Sequence, residues 1–400
     1  MWYLLVPFVT FAGGFQINTQ GQKAIGMGGS ITGLAIDGSV VFFNPAGMSF
    51  LDSNYVNAGF SLIIPQTTFL GGYGSSEKMS SQLYTPYYVY GAFKLKGKLS
   101  AGISINNPFG LGTKWDDNWS GRYISQQARL TALFIQPSLS YKIYNHLSFG
   151  GGPAIVLGAA KFRKAIPYAN SDGTEAGTEL KGNTTGLGFN AGVFVSYGKI
   201  TFGLDYRSKV KLDLKNGDAT FTNVPPSLIS INTIPTSTKF NSSINLPSVF
   251  SLGIGYKVTD KLLINLDLNF TGWSVYDSLN FEFPEYPALN NSNARKYKSS
   301  YAARIGAQYK STDKLTIRLG IAYDQTPVKD GYVSPELPDA NKFVLAGGLT
   351  YRVKRHLYLE GSVMMENVSE RKEISNVNTN FNGTYKSYLY IFGLGLQYNF

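Results

Sequence analysis

The sequence of 400 residues contains no cysteine and only two histidines, His146 and His356. The absence of cysteine excludes disulfide bonds, cysteine nucleophiles and thiolate metal sites. Two histidines leave little for general-base catalysis or for a histidine-rich metal site. No nucleophile elbow and no phosphate-binding loop stands out either. We therefore expect no enzymatic activity, no cofactor and no bound metal.

Charge and long apolar runs are also scarce. Charged residues make up 15% of the chain, against about 25% in typical soluble proteins. No apolar run reaches the roughly 20 residues that a membrane-spanning helix needs. The formal net charge is +11, but the basic residues are scattered along the chain, and nucleic-acid binding needs a clustered patch. What the chain has in abundance is glycine (44 residues) and aromatic side chains (14%).

From Tyr55 onwards, apolar residues alternate with small or polar ones, which is the period of a β-strand. The final segment is the clearest case, because one of its faces carries only large apolar side chains: Tyr388, Tyr390, Phe392, Leu394, Leu396, Tyr398 and Phe400. In other segments the opposite face carries charge, as Arg318 and Lys342 show. This alternation fits both a soluble β-sandwich and an outer-membrane barrel.

The lengths of the connections distinguish these two folds. Six tight links, such as Gly97-Lys98 and Gly198-Lys199, alternate along the chain with seven longer polar links. We place the longer links near 65–83, 107–121, 164–180, 214–236, 283–294, 325–340 and 374–382. Short turns on one side and long loops on the other are typical of outer-membrane barrels. We therefore predict an all-β fold, a transmembrane antiparallel β-barrel of about 14 strands, over residues 53–400.

Residues 13–52 differ from the rest, since they are rich in glycine and follow no strand period. A barrel of this size encloses more space than its inward side chains fill. We expect this segment to form a plug in the lumen, because it is too apolar for the alternative, a disordered tail. Residues 1–12 resemble the apolar part of a secretory signal peptide without its basic start, and we interpret them as the remnant of one.

Several motifs resemble the FadL/OmpP1/TodX family of long-chain fatty acid transporters, from about residue 13 to the end of the chain. They are Gly14-Phe15-Gln16-Ile17-Asn18, Asn44-Pro45-Ala46-Gly47-Met48, Asn107-Pro108-Phe109-Gly110-Leu111-Gly112 with Trp119-Ser120-Gly121-Arg122-Tyr123, Thr271-Gly272-Trp273-Ser274, and Ala322-Tyr323-Asp324-Gln325-Thr326-Pro327-Val328 with Pro338-Asp339. A terminal Phe400 is similar to the C-terminal aromatic residue that outer-membrane proteins present to the barrel-assembly machinery.

The resemblance implies a monomeric 14-stranded barrel with a hatch in its lumen, in the outer membrane of a Gram-negative bacterium. It also implies passive uptake of hydrophobic molecules, captured between extracellular loops, held beside the hatch and released sideways at a kinked third strand. Long-chain fatty acids and aromatic hydrocarbons both remain open as ligands. Outside the family, the alternatives are a general small-solute porin and a binding or adhesin barrel, which would need much longer loops. Lipopolysaccharide and membrane lipid are expected neighbours.

Two stretches have a structural interpretation besides the functional one. Asn44-Pro45-Ala46 is either a turn that ends the plug or, as the resemblance implies, the motif that locks the hatch against the wall. Asn107-Pro108-Phe109-Gly110 combines a proline, which removes a ladder donor, with a glycine, which permits a bulge. It is either an ordinary transition from strand to loop or, as the resemblance implies, the lateral opening.

Five residues are candidates for ligand contact. Phe15 matches an aromatic residue that lies near the ligand in the family, with plug packing as the alternative. Leu228 and Ile231 lie in an apolar loop, which folds over a ligand or over its neighbours. Lys161 and Arg163 near the outer end of the fifth strand are candidates for binding a carboxylate. The alternative is that they face water or lipopolysaccharide phosphates.

Overall fold

The computed structural model describes residues 13–400. Residues 1–12, which we interpret as a signal-peptide remnant, lie outside the described residues. Within residues 13–400, nineteen strand segments form one antiparallel sheet. The sheet closes on itself, because the first segment pairs with the last from Tyr55 opposite Asn399 to Leu70 opposite Thr384. The predicted all-β, 14-stranded barrel is therefore confirmed.

The strand segments differ in length and in their place in the wall. They are β1 (Tyr55–Leu70), β2 (Ser76–Lys78), β3 (Tyr87–Lys94), β4 (Leu99–Lys114), β5 (Gln127–Tyr144), β6 (Leu147–Ala169), β7 (Glu175–Tyr197), β8 (Ile200–Arg207), β9 (Val210–Thr222), β10 (Ser237–Leu246), β11 (Val249–Lys257), β12 (Leu262–Thr271), β13 (Ser278–Glu282), β14 (Asn291–Ala294), β15 (Ser300–Lys310), β16 (Leu315–Asp324), β17 (Lys342–Arg352), β18 (Leu357–Glu373) and β19 (Gly383–Asn399). Segments β8 and β9 form one wall strand, and so do β10 and β11. The short segments β2, β13 and β14 are additions to the wall at the long-loop end.

The helices are short. They are α1 (Gln22–Gly26), α2 (Val40–Phe43) and α3 (Pro226–Ser230), together with the 3₁₀ helices Pro45–Phe50, Gly72–Gly74, Trp273–Val275 and Pro287–Leu289. Among residues 13–400, no helix is long and apolar enough to cross a membrane.

The six tight links connect neighbouring wall strands where the sequence places them, and both histidines lie in such turns. Four of the longer links are shorter than we expected, and in two of them β1 continues to Leu70 and β9 continues to Thr222. Strand β4 continues through residues 107–114, and only residues 170–174 separate β6 from β7. The physical reason is that a proline or a glycine interrupts each of these strand ends (Pro65, Pro108, Pro167 and Gly217), and such residues usually indicate a loop in a sequence.

The outer face of the barrel carries the large apolar side chains. Leu187 is 74% exposed and Leu319 is 66% exposed, whereas their neighbours Gly186 and Gly320 face inward. This belt of exposed leucine, isoleucine, phenylalanine and tyrosine surrounds the wall and is typical of the lipid-facing surface of a transmembrane barrel. Inward positions are small or polar, which leaves space in the lumen.

The N-terminal segment lies in this space. Helix α1 packs against β16, β17 and β18, while the 3₁₀ helix Pro45–Phe50 packs against β4, β5, β6 and β7. Asp267 on β12 accepts hydrogen bonds from the backbone nitrogens of Ile31 and Thr32, both at 2.8 Å. A Cβ atom at Gly26 would lie 2.9 Å from Cα of Gly348, so this close backbone approach requires glycine at position 26. The separate function of this segment as a movable hatch stays a prediction.

Candidate ligand-binding and exit site

Asn44-Pro45-Ala46 connects the N-terminal segment to three wall strands, β5, β6 and β7. The Asn44 side chain accepts a hydrogen bond from the Ala46 nitrogen (3.2 Å) and donates one to the Val193 carbonyl oxygen (3.0 Å). The Ala46 carbonyl oxygen accepts hydrogen bonds from the hydroxyls of Ser140 (2.9 Å) and Ser148 (2.6 Å). The motif is therefore both a helix cap and an attachment to the wall, and these two interpretations are compatible.

Strand β4, the third strand of the wall, is irregular at Asn107 and Pro108. Its pairing with β5 shifts between Asn106 and Phe109, so that two residues of β4 oppose one residue of β5. This is a β-bulge. On its other edge, β4 pairs with β3 only from Ser100 to Asn106. Beyond Asn106, this edge of β4 diverges from β3 and leaves an interruption in the wall.

The N-terminal segment occupies the inner side of this interruption. The Ile17 nitrogen donates to the Pro108 carbonyl oxygen, and the Gly110 nitrogen donates to the Phe15 carbonyl oxygen, both at 3.0 Å. The Gln20 side chain adds a hydrogen bond to the Asn107 carbonyl oxygen at 3.0 Å. Residues 15–17 therefore supply a short antiparallel partner to β4 at the point where β3 no longer does.

A cavity of about 410 Å³, which we call the wall cavity, lies at this interruption. On the lumen side its lining includes Phe15, Ile17 and Ile391, which are buried or half-buried. On the other side it reaches Tyr87 and Thr131, which are exposed on the outer face of the barrel. The lining of the wall cavity thus includes residues from both faces of the wall at this interruption.

The inner end of the wall cavity contains one basic and two acidic side chains. The Lys342 ammonium lies 3.4 Å from the Asp339 carboxylate and 3.8 Å from Glu366. Asp339 also accepts hydrogen bonds from the Gly14 nitrogen at 2.8 Å and from the Thr326 hydroxyl at 2.7 Å. Asp339 therefore fixes the start of the described N-terminal segment.

Phe15 is buried in an aromatic cluster beside the wall cavity. Its ring lies edge-on to Trp273, Tyr276 and Phe109, with centroid distances of 4.6, 5.5 and 6.3 Å. Edge-to-face pairs of this kind are favourable beyond their buried area. Phe15 thus both packs the N-terminal segment and lines the wall cavity.

A second cavity of about 380 Å³, which we call the loop cavity, lies among the extracellular ends of the strands and loops. Its apolar lining includes Phe162, Phe281 and Phe283. Lys164 also lines it, and among residues 13–400 no carboxylate lies within ion-pair distance of the Lys164 ammonium. Burial lowers the pKa of Lys164, while the negative charge of Glu336 opposes this shift.

The basic residues that we predicted from the sequence as ligand contacts do not lie together in the structure. Lys161 points outward, since it lies on the face of β6 that carries Ile155 and Leu157, and it forms an ion pair with Glu179 at 2.9 Å. Arg163 lies on the same outward face of β6, but its side chain reaches the rim of the loop cavity and contacts Asp117 at 3.3 Å. The inward cation of this strand is Lys164, which the sequence analysis missed.

The two apolar loop candidates are also placed apart from the cavities described above. Leu228 in α3 is half-buried and packs against the main hydrophobic cluster. Ile231 is 68% exposed. Neither lines the wall cavity or the loop cavity, and their contact with a ligand stays a prediction. The loop packs mainly on its neighbours, because Val224 and Ile234 are the side chains that it buries.

The chain matches the family model described as outer membrane protein transport protein (OMPP1/FadL/TodX) over residues 3–400. It is 26% identical over 385 residues to the long-chain fatty acid transport protein of Escherichia coli strain K12, covering 87% of this chain and 86% of that one. It is 24% identical over 369 residues to outer membrane protein P1 of Haemophilus influenzae strain Rd, covering 82% and 78%.

Solved structures share the fold. A FadL homologue from Pseudomonas aeruginosa superimposes with a TM-score of 0.88 at 20% identity, covering 97% of this chain and 100% of that one. The toluene transporter TodX of P. putida gives a TM-score of 0.75 at 17% identity, covering 96% and 99%. The chain therefore belongs to the OMPP1/FadL/TodX family of Gram-negative outer-membrane transport proteins, a family of transport channels and not of enzymes.

Proposed function

We propose that this protein is a channel for the passive uptake of hydrophobic molecules, with long-chain fatty acids as its main ligands. In this proposal a ligand enters the loop cavity, moves to the wall cavity beside Phe15 and leaves sideways through the interruption between β3 and β4. The hatch, residues 13–52, rearranges to permit the passage. The barrel acts as a monomer.

The observation that carries the proposal is the wall cavity, whose lining includes side chains of the lumen side and of the lipid-facing side of the wall. Its volume falls in the range of about 300–1,000 Å³ that is usual for small-molecule sites. Sideways release is favourable for an apolar ligand, because it passes from protein to lipid without exposing apolar surface to water. A channel that opened only to the periplasm would lose this advantage.

Lys164 supports a fatty acid over an uncharged hydrocarbon. The loop cavity places this ammonium group next to the aromatic side chains Phe162 and Phe281. A carboxylate forms charge-assisted hydrogen bonds with such a group, while an acyl chain packs against the rings. An aromatic hydrocarbon gains only the second of these interactions.

The pairing of residues 15–17 with β4 supports a role for the hatch in the exit step. Two backbone hydrogen bonds hold this segment across the interruption. Their number is small, so a ligand that displaces Phe15 from its aromatic cluster needs to break few bonds. We propose that this displacement opens the wall cavity, while the attachment at Asn44 stays in place.

Uptake of aromatic hydrocarbons is the second candidate function. The aromatic cluster of Phe15, Trp273 and Tyr276 favours it, since flat rings stack well against such surfaces. A small-solute porin is disfavoured, because the N-terminal segment occupies the lumen. For biogenesis, we propose that the exposed C-terminal Phe400 is recognised by the barrel-assembly machinery.

The test is uptake of radiolabelled oleate and of radiolabelled toluene by cells that lack their own transporters and express this chain. We expect faster oleate uptake than in cells with an empty vector. Lys164→Gln is expected to slow oleate uptake but not toluene uptake, and Lys164→Arg is expected to restore it. Lys314→Gln in a tight turn at the other end of the barrel is the matched control. Oleate uptake no faster than with the empty vector would contradict the proposal.

A further inference from the structure

A row of charged side chains crosses five neighbouring strand segments on the outer face of the barrel. Arg129 on β5 is directly opposite Lys161 on β6, and Lys161 is directly opposite Lys181 on β7. Lys181 is opposite Asp218 on β9, which is opposite Lys239 on β10. We call these five residues the basic row, because four of its five members are cations.

The members of the basic row all point away from the lumen. Along β6, Ile155 and Leu157 lie on the outward face, and Lys161 lies on the same face because alternate residues of a strand point the same way. The intervening Phe162 packs inside the barrel against Phe281. Arg129, Lys181, Asp218 and Lys239 are exposed, while Leu130, Leu180, Ala219 and Phe240 beside them in sequence are buried.

The charges in the basic row are poorly balanced by the protein itself. Like charges that lie directly opposite one another on adjacent strands are destabilising, and the row places three cations side by side. Two of the four cations have partners, since Lys161 pairs with Glu179 at 2.9 Å and Lys239 pairs with Asp218 at 2.6 Å. Among residues 13–400, neither Arg129 nor Lys181 has a carboxylate within 4.0 Å. The row therefore carries an excess of positive charge that anions from outside the chain can balance.

The height of the basic row indicates which anions these are. Leu157 is the last strongly apolar outward residue of β6, and Lys161 follows four residues later. Four residues span about 13 Å of strand, which is about 10 Å along the membrane normal at the usual strand tilt. The row lies at the long-loop end of the strands, the extracellular end of an outer-membrane barrel. This is the level of the headgroups of the outer leaflet.

We infer that the basic row is a binding site for the phosphate groups of lipid A, the phosphorylated glycolipid anchor of lipopolysaccharide. Arg129, Lys161 and Lys181 bind the phosphates through charge-assisted hydrogen bonds, and the acyl chains lie against the apolar belt below them. Arg129 also lines the wall cavity. A lipid bound at this row therefore borders the interruption in the wall.

The test is the binding of bisphosphorylated lipid A to the purified full-length protein in detergent, measured by native mass spectrometry. We expect the double variant Lys161→Gln/Lys181→Gln to bind about 30-fold more weakly, because each lysine at an anionic lipid surface contributes a factor of about five. The double variant Lys261→Gln/Lys314→Gln removes two exposed lysines from the opposite end and is expected to bind like the unmodified chain. Dephosphorylated lipid A is expected to bind weakly to all three proteins.

Two results would overturn the inference. One is equal lipid A binding by the two double variants. The other is equal binding of phosphatidylglycerol and lipid A by the unmodified chain, which would indicate a surface that binds any anionic lipid. Fatty acid uptake is a separate readout, so its failure leaves this test intact. If the Lys161→Gln/Lys181→Gln variant does not fold, amine labelling of the unmodified chain replaces it. Lys181 is then expected to be protected by added lipid A, and equal labelling with and without lipid A would contradict the site.

Discussion

Replacing Gly150 by alanine is expected to loosen the attachment of the hatch to the wall at Asn44-Pro45-Ala46. Gly150 lies on β6 and faces the lumen, and a Cβ atom there would lie 2.6 Å from the Ala46 nitrogen and 2.7 Å from the Pro45 carbonyl carbon. Both contacts are to backbone, so no side chain can rotate away. Because ordinary packing of carbon atoms needs about 3.5 Å, the Asn44-Pro45-Ala46 turn must move by about 1 Å.

This movement lowers the free energy with which the hatch is held against the wall, through two contributions. Overpacking of this kind costs about 1–3 kcal/mol. The shift also weakens the hydrogen bonds from Ser140 and Ser148 to the Ala46 carbonyl oxygen, which contribute about 1 kcal/mol each. We therefore expect the attachment of the hatch to weaken by about 2–4 kcal/mol, while the barrel remains closed.

The assay is single-channel conductance in planar bilayers, with proteolysis of residues 45–50 as a second readout. Gly361→Ala is the matched control, because a Cβ atom there meets its nearest neighbours only at 3.9 and 4.0 Å. Deletion of residues 14–48 sets the upper limit of conductance. We expect Gly150→Ala to conduct better than Gly361→Ala. Equal conductance of two correctly folded variants would refute the reasoning that this motif fixes the hatch.

Two further predictions concern the hatch and the loop cavity. Asn44→Ala removes two hydrogen bonds at a buried position and is expected to destabilise the segment around Pro45 by about 1–3 kcal/mol. The measurement is amide hydrogen exchange, which is expected to become faster in residues 40–50 and to stay unchanged in β18. Because burial lowers the pKa of Lys164, its ammonium group loses its charge at a lower pH than an exposed lysine does. Oleate binding by the purified protein is therefore expected to weaken as the pH rises through this lowered pKa. A Lys164→Arg variant with the same pH dependence would show that another group is responsible.

The barrel could be predicted from the sequence because its determinants are local. Alternation along Tyr388–Phe400 defines a strand with one lipid-facing side, and tight links such as Gly97-Lys98 fix the points at which the chain reverses. Each of these signals spans only a few residues. The strand count followed from the order of the links, and the closed sheet confirmed it.

The cation that lines the loop cavity was not predicted from the sequence. The reason lies in which residues of β6 face inward and which face outward. Lys161, Arg163 and Lys164 are adjacent in sequence, and charge alone does not show which of them faces inward. The apolar face of the same strand does show it. Ile155 and Leu157 are lipid-facing, so that odd-numbered residues point outward and Lys164 points inward. Extending the strand beyond its apolar part would have selected Lys164 from the sequence.

The contacts between the hatch and the wall left a signal in the sequence that we did not use. Gly150, Gly253 and Gly348 lie at inward positions where a side chain would collide with the backbone of residues 26–46. Inward glycines on otherwise regular strands mark close approach of another backbone. Their partners could not be identified from one sequence, because the contacts join residues more than 100 positions apart.

The lateral exit is the central claim, and uptake measured beside binding in one variant tests it most directly. In Pro108→Val/Gly110→Thr, β4 regains a backbone donor at position 108, and a Cβ atom at position 110 meets only ordinary contacts at 3.5 and 3.6 Å. The barrel should therefore fold while the interruption beside β3 closes. We predict normal heat-modifiability, unchanged oleate binding by the purified protein and a steep loss of oleate uptake by cells. Normal folding with undiminished uptake would contradict the account and would show that the ligand leaves through the lumen to the periplasm.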